Sequence, residues 1–145
     1  MSTLYVAFKG NGSSGNKIVR SFSGDKVFLT NSFDGLKKDV DNINGTYDLV
    51  YMFGLDKRLK GNIRIDCVAK RGDVCLYSAV DFNSIAKNLS QNGIITDIGN
   101  TPTQYLCNEA YWYMLRKFNC HVIFFHVPSI KYITENFIEK IWTVL

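Results

Sequence analysis

Proline is scarce in this chain: there are 2 in 145 residues, and the 11 glycines form no biased tract. A collagen-like, mucin-like or disordered chain is therefore excluded. No run of residues approaches the ~20 consecutive apolar positions a bilayer needs, and even Val122-Ile123-Phe124-Phe125 falls far short. Membrane insertion is not expected. Blocks of like charge are also missing, and the formal net charge is only +4, so no basic or acidic tail is present. The N-terminal Met1 to Lys9 has neither a basic leader region nor a long apolar stretch and reads as a first strand, not a signal peptide. What is there is 46% hydrophobic and 14% aromatic, enough for one core. The length suits a single domain over residues 1–145.

Four cysteines are present (Cys67, Cys75, Cys107, Cys120) without any C-x-x-C pair. With no secretory signature, free thiols and a cytoplasmic location are expected. Cys120 and His121 are adjacent, a poor start for a tetrahedral zinc site, so no metal is expected. No motif calls for a cofactor.

Leu4 to Phe8 has strand length and feeds a turn-rich loop, Gly10 to Lys17. Lys26–Thr30 reads as a second strand, Phe33–Ile43 as a helix and Asp48–Phe53 as a buried strand ending at Gly54. Ile63, Ile65, Cys67 and Ala69 alternate with polar residues, the period of a half-buried strand, and Val74–Tyr77 extends the β region. From Ser78 the period becomes helical. Ser78 to Asp81 has capping-box spacing, Gly93 closes the helix, and Ile94–Ile98 is a short strand. Thr101-Pro102-Thr103-Gln104 is a second cap candidate, with a helix to about Phe118. His121–His126 is a buried strand stopped by Pro128, and an amphipathic helix ends the chain. Alternating helices and strands predict an α/β fold: a three-layer α/β/α sandwich with a mostly parallel (mixed) central sheet.

Three constellations could carry chemistry. Gly10-x-x-x-x-Gly15 followed by Lys17 nearly spells a phosphate-binding loop, but the lysine is one position late and no Ser or Thr follows, so a flexible turn is the better reading. Lys57, Arg58, Lys60, Arg64, Lys70 and Arg71 cluster within 15 positions, interrupted by Asp56, Asp66 and Asp73. A solvated hairpin face is favoured there over a nucleic-acid stripe. Cys107 and His126 are the sharpest pair. Both belong to the edge of a parallel sheet where strands lead into helices, and a helix N-terminus with a nearby imidazole favours thiolate. A buried inert thiol and a satisfied strand-end histidine remain the plain alternatives.

Tyr105-Leu106-Cys107-Asn108 with Tyr111, then Phe125-His126-Val127-Pro128, closely resembles the nucleophile and histidine motifs of pyroglutamyl peptidase I, the pyrrolidone-carboxylate peptidases. Ala86 to Asn92 with Gly93-Ile94 resembles that family's lead-in to its nucleophile. Val50–Gly54, Arg58 and Ile63 to Ala69 are similar to the strand and motif bearing its acid, and Phe8, Gly12 and Asn16 weakly resemble its N-terminal loop.

The resemblance implies a cysteine peptidase of cytoplasmic type acting on peptides whose N-terminus is blocked by pyroglutamate, with no cofactor and a homo-oligomer compatible with it. It makes Cys107 the nucleophile, His126 the general base and Asp66 the acid that orients it, one methylene shorter than the family's glutamate. Phe8, Arg58 and Asn16 fall on substrate-binding positions. Cys67 stands where the family has arginine, Lys70 where it has asparagine and Asn11 where it has an aromatic residue. Only residues 67–77 separate Asp66 from Ser78, where the family has a longer segment. It also implies a helix start nearer Thr103 to Tyr105 than Thr101. A diverged relative that binds a peptide or small amide with little or no turnover is the second reading.

Overall fold

Six strands hydrogen-bond into one twisted sheet, and their order rather than their number places the site. The computed structural model describes residues 2–10 and 12–145. Along the chain run β1 (Thr3–Phe8), α1 (Ser14–Ser21), β2 (Asp25–Leu29), α2 (Phe33–Asp41), β3 (Leu49–Leu55) and β4 (Ile63–Asp66). Then come β5 (Val68–Arg71), β6 (Val74–Tyr77), α3 (Phe82–Gln91), β7 (Thr96–Gly99), α4 (Tyr105–Lys117), β8 (Val122–Val127) and α5 (Glu135–Val144).

The sheet order is β2-β1-β3-β8-β4-β7. β2, β1, β3 and β8 are mutually parallel, while β4 runs antiparallel to β8 and parallel to β7. β5 and β6 form a separate antiparallel hairpin. One sheet face packs on α2 and α4 through Leu36, Val40, Ala110, Tyr111, Met114, Leu115 and Phe124. The other packs on α1, α3 and α5 through Ile18, Val19, Ala86, Leu89, Phe125, Phe137 and Ile141. Strands covered on both faces are apolar along their whole length, as in parallel sheets generally, and every residue of β8 is buried. The three-layer α/β/α sandwich with a mixed, mostly parallel sheet is therefore present.

Three local expectations change and one is met. Residues 14–21 form a helix rather than a turn: Ser13 caps it by accepting from Asn16 N at 3.2 Å, and Ile18 and Val19 bury fully against the sheet. Gly15 sits in that helix because a Cβ there would lie 2.6 Å from Phe53 O. Asp81, not Ser78, caps α3, accepting from Ser84 N at 3.2 Å; Ser78 Oγ instead donates to Val122 O at 2.6 Å. The strand expected over residues 63–69 breaks at Cys67, so Ile63–Asp66 stays in the main sheet and Val68–Arg71 joins the hairpin. Finally, α4 starts at Tyr105, within the later of the two expected starts. No helix among the described residues is long and apolar enough to cross a membrane.

Candidate active site

Register brings the site together. His126 on β8 pairs with Gly54 on the parallel β3 side and with Arg64 on the antiparallel β4 side. Opposed residues in neighbouring strands share a face, and alternate residues of one strand return to it. Arg64, Asp66, Phe124, His126 and Gly54 thus all face α4. Gly54 supplies the missing side chain: a Cβ there would lie 2.7 Å from Phe124 Cζ and 3.3 Å from Cys107 Sγ. The Cys107 sulfur therefore rests over Gly54, whose strand neighbour is His126.

Asp66 reaches the histidine despite its short side chain. Its Oδ2 contacts His126 Nδ1, with both side chains buried. As carboxylate it accepts from Nδ1–H, which fixes the tautomer and leaves Nε2 to take a proton. Oδ1 accepts from Arg64 Nε at 3.0 Å. Arg64 Nη1 in turn donates to Asp56 Oδ2 at 2.7 Å, and Arg58 grips the same carboxylate through Nη2 at 2.8 Å. These bonds, with Arg58 the stronger holder, keep the Asp56 carboxyl far below the usual range. Behind Asp66, Tyr111 Oη donates to its backbone carbonyl at 2.8 Å.

Cys107 is the third residue of α4. The helix opens on Tyr105, a non-glycine residue at φ +57°, and its cap residue Gln104 makes no side-chain cap bond. The N–H groups of the first turn are consequently left without a side-chain acceptor, a ready place for negative charge. The thiol nonetheless rests protonated. Burial pushes it up to about 12, the Asp66 charge adds to this, and Arg64 opposes it. Desolvation thus outweighs the helix N-terminus that the sequence suggested would favour thiolate.

Two cavities meet at Cys107 and its neighbour Leu106. One, of about 620 Å³, is lined by Arg58, Arg64, Asp66 and the segment Thr101 to Cys107. The other, of about 330 Å³, is lined by Phe8, Lys9, Gly12, Ser13, Asn31 and Leu55 beside Leu106 and Cys107. Of the substrate-binding positions suggested by sequence, Phe8 lines the smaller cavity and the exposed Arg58 the larger. Asn16 is used inside the frame, its Nδ2 donating to Phe8 O at 3.0 Å. Asn11 lies outside the described residues.

The basic cluster disperses. Arg58 and Arg64 share Asp56, while Arg71 donates to Tyr113 Oη at 3.0 Å and packs on that ring. Lys70 places its backbone N–H and C=O on the Asn108 side-chain amide, so the residue after Cys107 docks the hairpin. The sequence missed Asp56 and Gly54, whose roles depend on cross-strand neighbours, and it grouped Arg64 with solvated cations. All four cysteines are free.

The three-layer α/β/α sandwich thus sets the Cys107 thiol of α4 over Gly54, beside the His126 imidazole of β8 and the Asp66 carboxylate of β4. The chain has the fold of the pyrrolidone carboxyl peptidases. The enzyme of Fervidobacterium islandicum AW-1 superposes with a TM-score of 0.77 at 20% identity, over 88% of this chain and 81% of that one. The enzyme of Thermus thermophilus gives 0.82 at 13% identity over 98% and 96%. Pyroglutamyl peptidase I of Bacillus amyloliquefaciens gives 0.72 at 13% over 99% and 95%. No family model and no curated protein matches the sequence.

Proposed function

We propose that this chain is a cytoplasmic cysteine peptidase that removes pyroglutamate from the blocked N-terminus of peptides. The observation that carries the reading is the contact of the buried Asp66 carboxylate with His126, beside the Cys107 sulfur at the mouth of two cavities. The pyroglutamyl ring would enter the smaller cavity over Phe8, with Asn16 bracing that wall. The leaving peptide would lie in the larger one past Arg58.

His126 Nε2 takes the Sγ proton as the sulfur bonds to the pyroglutamyl carbonyl carbon, so no standing thiolate is required. First-turn N–H groups of α4 hold the oxyanion. Collapse breaks the C–N bond, the proton passes from His126 to the departing amine, and a thioester remains. Water, deprotonated by His126, then releases pyroglutamate and restores the thiol. Asp66 keeps the ring oriented throughout.

The test is hydrolysis of a chromogenic pyroglutamyl amide. Turnover that Cys107→Ala abolishes and Asp66→Ala reduces about 10⁴-fold is expected, by analogy with loss of the orienting acid in other triads. The second reading, a diverged relative that binds a peptide or small amide without turning it over, draws on the raised Cys107 thiol. Saturable binding of a pyroglutamyl peptide with no product would decide for it.

A further inference from the structure

Arg64 is placed unlike the other cations of its cluster. Its side chain is 23% exposed, whereas that of Arg58 is 84% exposed. Its guanidinium joins two carboxylates, with Nε on Asp66 Oδ1 at 3.0 Å and Nη1 on Asp56 Oδ2 at 2.7 Å. The space for this pair is built into the sheet: at Gly99, the β7 partner of Asp66, a Cβ would lie 2.4 Å from Asp66 Oδ1 and 3.0 Å from Arg64 Cδ. Arg64 also lines the larger cavity together with Asp66 and Cys107.

We propose that Arg64 is a positioning residue of the site: its guanidinium, pinned from outside by Asp56, holds Asp66 against His126 and keeps a positive charge beside Cys107. This rests on the reading of Cys107, His126 and Asp66 as the reacting set. An aspartate is short, and a second anchor on Oδ1 removes the rotation that would carry Oδ2 off the imidazole. A planar fork suits this task better than an ammonium, because Nε and Nη1 address two carboxylates at fixed geometry.

The charged and titratable groups around the thiol are Arg64 and Asp66 on β4, Asp56 and Arg58 after β3, His126 on β8 and Lys9 across the smaller cavity. Glu109 lies on α4 itself, and the Asn108 side chain of that helix holds the Lys70 backbone. Lys37 on α2 and Arg71 on β5 are directed at the Tyr113 ring, further along α4. Of these, Arg64 is the partly buried cation that lines a cavity with the sulfur and opposes the effect of Asp66 on it.

The experiment follows iodoacetamide alkylation of Cys107 from pH 7 to 9.5 by mass spectrometry, with the exposed Cys75 as internal standard. At any pH where the thiol is mostly protonated the rate follows the thiolate fraction, so a thiol that ionises one pH unit higher reacts about tenfold more slowly. Arg64→Gln is expected to slow Cys107 alkylation about tenfold at each pH, leaving Cys75 unchanged. Arg64→Lys keeps the charge and loses the fork: alkylation stays within about threefold of wild type, while kcat on a pyroglutamyl amide falls about tenfold at unaltered KM. A purely structural role predicts the reverse, because a loosened site exposes Cys107 and speeds its alkylation. Unchanged or faster alkylation in Arg64→Gln overturns the proposal. If that variant does not fold, Arg64→Lys decides, and wild-type kcat overturns it. Absence of amide turnover by the wild type would defeat the peptidase reading, whereas the alkylation comparison judges Arg64 independently.

Discussion

Gly99 carries no side chain because the acid leaves no room for one. Its Cβ position collides with Asp66 Oδ1 at 2.4 Å, and the β4–β7 register fixes that approach. Gly99→Ala is therefore expected to displace the carboxylate. Misplacing a catalytic group by about 1 Å costs about 10²-fold in rate, and forcing a methyl into a packed site costs about 1–3 kcal/mol in stability. Amide turnover and a urea titration measure the two effects. Turnover at the wild-type rate would show that Asp66 tolerates the methyl and that the acid needs no fixed seat. His126 was legible in the sequence as a polar residue ending an apolar strand, whereas Asp66 was legible only through the family resemblance, since the alternation put it on the polar side of a half-buried strand. Gly99 and Gly54 were not, since a glycine's reason lies in what presses on it from the next strand.

At the scale of elements, the hairpin β5–β6 is tied to α4 by a side chain that sequence alone gives little cause to notice. The Asn108 amide accepts from Lys70 N at 3.0 Å and donates to Lys70 O at 2.8 Å, copying a strand's own pairing. Asn108→Ala removes both bonds, at about 1 kcal/mol each. Loosening should centre on the turn at Gly72, so limited proteolysis there is expected to quicken several-fold while the far-UV spectrum stays unchanged. Equal protection in both proteins would mean that the Arg71–Tyr113 contacts and the buried Val68 and Ala69 hold the hairpin without Asn108. Short apolar runs marked β1, β3 and β8, because strands buried on both faces are apolar throughout, and helical spacing marked α5, because burial on one face imposes a fixed period. Periodicity failed at residues 14–21, where glycine, serine and asparagine are poor helix formers and tertiary burial of Ile18 and Val19 makes the helix. It failed again at Cys67, where one alternating stretch serves two different sheets.

Over the whole molecule, buried and hydrogen-bonded titratable groups set opposite limits on stability. On the acid side, Asp56 is held down by Arg58 and Arg64, Asp81 by the Ser84 side chain, and Asp48 by the Ser2 backbone N–H. A depressed carboxylate stabilises the fold above its ordinary value of 3.8, and that contribution is lost as pH falls below it. On the alkaline side, burial raises Cys107 from 9.0 to about 12, and it also raises Tyr51 and Tyr111 above their ordinary 10.0. Between 9 and 12 the unfolded chain releases the thiol proton that the folded chain keeps, so unfolding gains on folding as pH rises. Stability from these groups is thus level between about pH 5 and 8 and declines on both sides. Urea midpoints across pH 3 to 10.5 test the shape. Burial also raises Cys67 from 9.0, so Cys107→Ala removes one of two thiols on the alkaline limb, and its midpoint should fall less than that of wild type between pH 9 and 10, with the acid limb unaltered. Parallel curves there would mean that the folded protein ionises Cys107 as readily as the unfolded chain. The thiol would then already stand as thiolate in alkali, and attack would not depend on His126 removing its proton.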